Sequence, residues 1–99
     1  MQWPYGLSRS ATRELQDIAD YWSERVGSDY AVKVLTKIID KILLYSQQQR
    51  AGRPAESYGR GVRCFPAGRY MIYYRIVRGN LHVLRVIHGS RDQKSAWTG

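Results

Sequence analysis

RYMIYYRIVRGNLHVLRVIHGSRD, residues Arg69 to Asp92, decides the fold of this chain. Tyr70, Ile72, Tyr74 and Ile76 alternate with Met71, Tyr73, Arg75 and Val77. A period of two rich in aromatic and β-branched residues predicts a strand. Arg78-Gly79-Asn80 predicts a tight turn, because Gly and Asn tolerate the positive φ that a hairpin needs. Leu81, Val83, Arg85 and Ile87 then alternate with His82, Leu84, Val86 and His88, so a second strand returns antiparallel to the first. This hairpin is expected in the middle of a sheet. Alternation also places His82 and His88 on one face, roughly 20 Å apart, too far to chelate one metal.

Working back from the hairpin, Val62 to Phe65 is a short strand stopped by Pro66 and turned by Ala67-Gly68. Residues 49–61 carry three glycines, a proline and no apolar period, and read as a long loop. Gly52-Arg53-Pro54 within it lacks the Lys-Ser/Thr of a phosphate-cradling loop. Ala31, Val34, Leu35, Ile38, Ile42 and Tyr45, widened by Ile39 and Leu43, predict a helix from about residue 29 to 48, capped by Ser28 or Asp29. Ala11, Leu15, Ile18, Ala19, Trp22 and Val26 predict a preceding helix over residues 9–25, capped by Ser8 and ended by Gly27. Glu14, Asp17, Asp20 and Glu24 lie off its stripe and read as a solvated face rather than a metal site. Residues 2–7, QWPYGL, are expected as an edge strand, where Pro4 is tolerated. Beyond the hairpin, SRDQKSAWTG reads as a polar tail holding Trp97.

The expected architecture is α+β, in the order β-α-α-β-β-β. An N-terminal edge strand and an antiparallel helical hairpin pack on a small antiparallel sheet, as a single domain over residues 1–99. Leu15, Ile18, Trp22, Leu35, Ile38 and Ile42 are expected between helices and sheet. A hydrophobic fraction of 43% suits such a core and argues against wholesale disorder. No apolar run approaches the ~20 residues of a membrane-spanning helix, and MQWPYGLSRSA does not read as a signal peptide. Cys64 is the single cysteine, so an internal disulfide and a cysteine-based metal site are excluded, and a reducing cytoplasm is the expected location. No cofactor and no membrane partner are expected.

The net charge is +8 and the isoelectric point about 10.0, and the excess is not evenly spread. Residues 1–49 balance Arg9, Arg13, Arg25, Lys33, Lys37 and Lys41 against six acids. Residues 50–91 hold nine arginines and one acid, Glu56. Concentrated arginine points to an anionic partner, nucleic acid or an acidic protein segment. Nucleophilic catalysis finds little support: Cys64 beside Phe65 reads as a buried structural thiol, and no serine lies in a nucleophile elbow. Arg63, Arg69, Arg75, Arg85 and His88 come from neighbouring strands. Such a set could bind phosphates, and with the histidine as proton carrier could cleave RNA without metal.

Several fragments carry a family resemblance: Leu7-Ser8 with Ala11, RELQDIADYW over Arg13–Trp22, Gly52-Arg53, Gly61-Val62-Arg63, Arg69-Tyr70 and, strongest, RVIHGSRD over Arg85–Asp92. Together they resemble a ParE-type toxin of the RelE/ParE toxin–antitoxin superfamily across nearly the whole chain. The resemblance implies a helical hairpin on a small antiparallel sheet. It also implies a toxin that binds and poisons DNA gyrase, forms a hetero-oligomer with a cognate ParD-like antitoxin, and is not an enzyme. Arg63, Arg69, Arg75, Arg85, His88 and Arg91 are then the expected target-binding residues, and Trp22, Leu35, Tyr45 and Tyr73 the expected antitoxin-binding ones. The alternative it carries is a RelE-type endoribonuclease acting on mRNA at the ribosome, with Arg63, Arg85 and His88 as the catalytic set. The absence of a tyrosine after Tyr74 and of any lysine in residues 46–93 favours the gyrase branch.

Overall fold

The computed structural model describes residues 4–98. Its elements are β1 (Tyr5–Leu7), α1 (Arg9–Arg25), α2 (Ser28–Gln47), β2 (Arg53–Pro54), β3 (Arg63–Ala67), β4 (Tyr70–Val77), β5 (Asn80–His88) and α3 (Gln93–Thr98). The strands form one sheet in the order β1-β5-β4-β3-β2, with the β4–β5 hairpin inside it. The α+β class and the β-α-α-β-β-β order hold, and β1 is an edge strand. Gln2 and Trp3 of the expected edge strand lie outside the described residues. Because β1 runs parallel to β5, the sheet is mixed rather than wholly antiparallel. The long loop is also less irregular than expected: Arg53 and Pro54 add a two-residue edge strand on Cys64 and Arg63, and Glu56–Tyr58 makes one 3-10 turn. The tail folds as α3.

Local chemistry explains the junctions. Ser8 ends β1 and starts α1: its N–H donates to the Val83 carbonyl at 2.8 Å, and its hydroxyl oxygen caps α1 by accepting from the Ala11 N–H at 2.9 Å. The same hydroxyl donates to the Leu84 carbonyl at 2.6 Å. The cap expected at Ser28 or Asp29 falls instead on Gly27, whose φ of 140° suits glycine, and no side chain caps α2. Ser28 and Asp29 are already helical, and the Asp29 carboxylate sits in the first turn, where the helix dipole favours it. Arg78 and Gly79 both take positive φ, 51° and 80°, the two-residue geometry that matches strand twist.

The core lies between the helical hairpin and one face of the sheet. Ile18, Ile38 and Ile42 meet Phe65, Ile72, Tyr74, Leu81 and Val83. Of the six expected core residues, Ile18, Ile38 and Ile42 are buried, while Leu15, Trp22 and Leu35 are partly exposed and pack against the cluster. Burying an aliphatic side chain of this size stabilises by about 1.5–3 kcal/mol. The opposite face has its own small core, in which Val62, Cys64, Tyr73 and Ile87 are covered by Ala96 and Trp97 of α3.

A β-bulge in β5 changes the facing of the histidines. Tyr73 pairs with Arg85 but Tyr74 pairs with Val83, so Leu84 is an extra residue. Alternation slips by one there. Leu81 and Val83 share the helix-side face with Val86, and Leu84 and Ile87 turn to the other. His82 and His88 therefore point to opposite faces, not to one as an unbroken period predicts: His82 lies over Gly6, and His88 packs edge-on to Tyr70.

Tyr73 and Tyr74 carry a pH dependence. Burial pushes both phenols above the ordinary tyrosine value of 10.0. Folding is then favoured while these groups stay protonated, and that stability is lost as pH rises through the folded values. Thermal melts should give a level midpoint in the neutral range and a decline above about pH 10, shallower in Tyr73→Phe than in the parent chain.

Candidate functional site

Gly68, at φ 60°, makes the tight turn between β3 and β4 and leaves room for the Lys37 side chain to lie against it. The turn carries Arg69 to the mouth of a groove of about 810 Å³ between α2 and the end of the sheet. Its floor is apolar: Val34 and Ile38 from α2, Ala67 and Tyr70 from the sheet, and Trp22 from α1. Trp22 is held by its indole N–H, which donates to the Tyr70 hydroxyl at 2.9 Å, and by Tyr30, whose ring lies 5.1 Å away edge-on. Arg69 stands 5.8 Å over the indole. Lys33, Lys37 and Lys41 line the same groove, against one acid, Asp40. Val32 and Leu44, also lining it, are 61% and 49% exposed. Beside the groove the β3 edge is open from Phe65 to Ala67, because β2 pairs only Arg63 and Cys64. Apolar floor, basic rim and free strand edge suit an acidic, amphipathic segment that gains order on binding.

The residues expected to bind an antitoxin separate across the molecule. Trp22 lines this groove. Leu35 packs against the main core, and Tyr45 stacks on Phe65 with ring centres 3.9 Å apart. Tyr73 lies on the far face, 3% exposed, its hydroxyl donating to Gln93 Oε1 at 2.8 Å. Lys33, Lys37 and Lys41 escaped the sequence reading, which followed the apolar stripe. Their signal was the i, i+4, i+8 spacing of three lysines beside exposed Val32 and Leu44.

The basic set expected to face a target also divides. Arg63 donates to the Gly52 carbonyl at 3.1 Å and to the Arg50 carbonyl at 2.9 Å, fastening the long loop. Arg75 points to the far face, where its Nε donates to the Arg60 carbonyl at 3.0 Å. Arg85 is committed to the framework. Its Nε and Nη2 donate to Glu14 Oε2 at 2.9 and 2.7 Å, and Nη1 and Nη2 to the carbonyls of Trp97 and Ala96 at 2.6 and 2.9 Å. Glu14, read from the sequence as solvated, is partly buried, and its other oxygen accepts from the Val86 N–H at 2.7 Å. His88, Arg69 and Arg91 border a shallow hollow against α1 with Asp17 and Tyr21. The Nδ1 of His88 accepts from the Ser90 N–H at 3.1 Å and lies 2.7 Å from the Ser90 hydroxyl. Cys64, 2% exposed on the far face, is remote in facing from His88. Among the described residues no group of His, Cys, Asp and Glu could hold a metal ion, and no helix is long and apolar enough to cross a membrane.

Residues 5–93 match the model of a family described as ParE toxin of type II toxin–antitoxin system, parDE. The chain is 30% identical to Toxin ParE1 of Caulobacter vibrioides over 93 residues, which cover 93% of this chain and 95% of that one. It is 32% identical to Toxin ParE1 of Mycobacterium tuberculosis over 89 residues, covering 89% and 91%. A solved chain described as the chromosomal ParDE TA system from P. aeruginosa superimposes with a TM-score of 0.72 at 26% identity, over 85% of this chain and 95% of that one.

Proposed function

Because the chain belongs to the ParE toxin family of type II toxin–antitoxin systems, we propose that it arrests growth by binding DNA gyrase and that a cognate ParD-like antitoxin neutralises it. The antitoxin reading rests on the α2 groove, whose basic rim and apolar floor complement an acidic amphipathic segment, and on likeness to a ParDE system of known structure.

The target reading rests on the scatter of the basic residues. A metal-free ribonuclease needs Arg63, Arg85 and His88 within reach of one phosphate. Arg63 stands opposite Tyr74 on β4 and His88 opposite Tyr70. Their rows are thus roughly 13 Å apart along the strand, on top of two strand spacings. Arg85 is closed into its ion pair. This arrangement favours binding over general acid–base chemistry, with Arg63, Arg69, Arg75, His88 and Arg91 as the residues left to meet a target.

Purified toxin should abolish supercoiling by purified gyrase and leave mRNA intact on purified ribosomes. His88→Gln should shift supercoiling inhibition only a few-fold, against the ~10²–10⁴ that loss of a general acid or base brings. RNA cleavage that vanishes in His88→Gln while supercoiling is untouched would overturn the proposal and place the chain with the ribonucleases.

A further inference from the structure

The far side of the sheet carries a second charged surface that differs in kind from the α2 groove. Arg53, Arg60, Arg75 and Arg78 lie in a span, residues 50–78, whose one acid is Glu56, and its carboxylate already accepts from the Gly61 N–H. The Arg85–Glu14 pair is the one ion pair among the described residues, so no carboxylate neutralises these arginines there. Arg53, opposite Cys64 in the register, turns to the far face, where its Nη2 lies 3.6 Å from the Cys64 sulfur. Arg75 is on the same face, opposite His82, and its Nε holds the Arg60 carbonyl at 3.0 Å. Arg60 is therefore Arg75's neighbour, and Arg78 stands exposed at the adjoining turn. β2 and β4 are two strands apart, so Arg53 and Arg75 span about 10 Å across the sheet, with further spread along it.

The polyanion that fits must need charge and little else. An acidic protein segment gains much of its affinity by burying apolar side chains, and this surface offers it few. Tyr58, Tyr73 and Trp97 pack tilted or edge-on to one another at centroid distances of 4.9–5.3 Å, with Tyr73 buried and the other two partly so. Val77, 43% exposed, is the large apolar side chain left open beside the arginines. With the three rings engaged with one another, the surface presents little of the open aromatic platform on which single-stranded nucleic acid stacks. Guanidinium groups on a rigid sheet, uncompensated and without a stacking surface, match the phosphates of a duplex.

We propose that Arg53 and Arg75 on the far face of the sheet, with Arg60 on the adjoining loop and Arg78 at the rim, bind the phosphate backbone of double-stranded DNA without reading its sequence. The surface lies apart from the α2 groove, so the toxin could hold an antitoxin segment and a duplex at once.

The test uses the full chain alone, without gyrase or antitoxin, so its outcome is separate from that of the target reading. Fluorescence anisotropy of a labelled duplex is followed across a salt series. Each phosphate contact contributes about −0.9 to the slope of log K against log salt. Contacts from the four arginines predict a slope of about −3.6, independent of duplex sequence. Arg53→Gln/Arg60→Gln/Arg75→Gln leaves one contact, so it should flatten the slope to about −1 and weaken binding at low salt at least tenfold. Arg53→Gln/Arg60→Gln/Arg78→Gln, which leaves the Arg75–Arg60 hydrogen bond in place, should do much the same if the first variant melts early. Arg9→Gln/Arg13→Gln/Arg25→Gln on α1 removes equal charge and should keep the parental slope. A parental slope near zero, an unchanged slope in both far-face variants, an equal loss in the α1 variant, or tighter binding of single-stranded RNA would each overturn the assignment.

Discussion

Arg85→Ala is expected to destabilise the fold by about 3–5 kcal/mol, the range seen when one partner of a buried pair is removed. The side chains of Arg85 and Glu14 are only 17% and 18% exposed, so solvent screens the pair weakly. The guanidinium bonds one carboxylate oxygen twice and two carbonyls of α3 besides. Its removal strands the Glu14 charge and both carbonyls, and loosens α1 and α3 from the end of β5 together. Glu14→Gln keeps an acceptor for the Val86 N–H and should cost less, about 1–2 kcal/mol. Urea unfolding at a constant m value measures both. An Arg85→Ala change below about 0.5 kcal/mol, the usual effect of a surface substitution, would mean that the pair is ornamental. The result bears on function too: any loss of toxicity in an Arg85 variant should follow its unfolded fraction and cannot by itself mark a gyrase contact.

The triple reversal Lys33→Glu/Lys37→Glu/Lys41→Glu should weaken antitoxin binding roughly a hundredfold. Each such surface charge contributes about 0.5 kcal/mol in attraction and as much again in repulsion when reversed. Three positions then give about 3 kcal/mol, close to two decades in affinity. The loss should appear largely in the association rate and should shrink in high salt. Lys33 and Lys37 are exposed on α2 and Lys41 is partly so, so the melting temperature should move little. Titration calorimetry with the antitoxin's C-terminal segment reads the affinity; a change under threefold would take the antitoxin out of this groove.

Local signals in the sequence served well for the elements. The stripes placed α1 and α2 to within a residue or two, Ser8 was visible as a cap, and the turn at Arg78-Gly79-Asn80 was legible from its glycine and asparagine, although the second positive φ falls on Arg78 rather than Asn80. Features that depend on distant partners were not legible. Glu14 reads as one more solvated acid until Arg85 arrives 71 residues later, and the parallel register of β1 has no local marker. The Leu84 bulge leaves the alternation intact on paper, because Leu and Val suit either face, and only pairing with β4 shows the slip. The slip exchanges the faces of Arg85 and His88, while plain alternation on β3 and β4 already divides Arg63 from Arg75. The groove lysines were hidden for another reason: a charged helix face ordinarily means solvent, and only the open space beside Ala67 and Tyr70 gives this one a use.

The first strand of the chain has the last strand as its neighbour in the sheet, and Ser8 is bonded to Leu84 across 76 residues. On a translating ribosome, β1, α1 and α2 therefore emerge long before the strands that cover them. Closing so wide a span is slow, since chain entropy opposes it until the non-local contacts form together. For that interval the nascent toxin is an amphipathic helical hairpin with its apolar stripes uncovered. If the antitoxin docks in the α2 groove as proposed, its segment meets α2, with Lys33, Lys37 and Lys41, before Ala67 and Tyr70 exist to complete the groove. The order of synthesis would then present the helix side of that docking site ahead of the finished toxin.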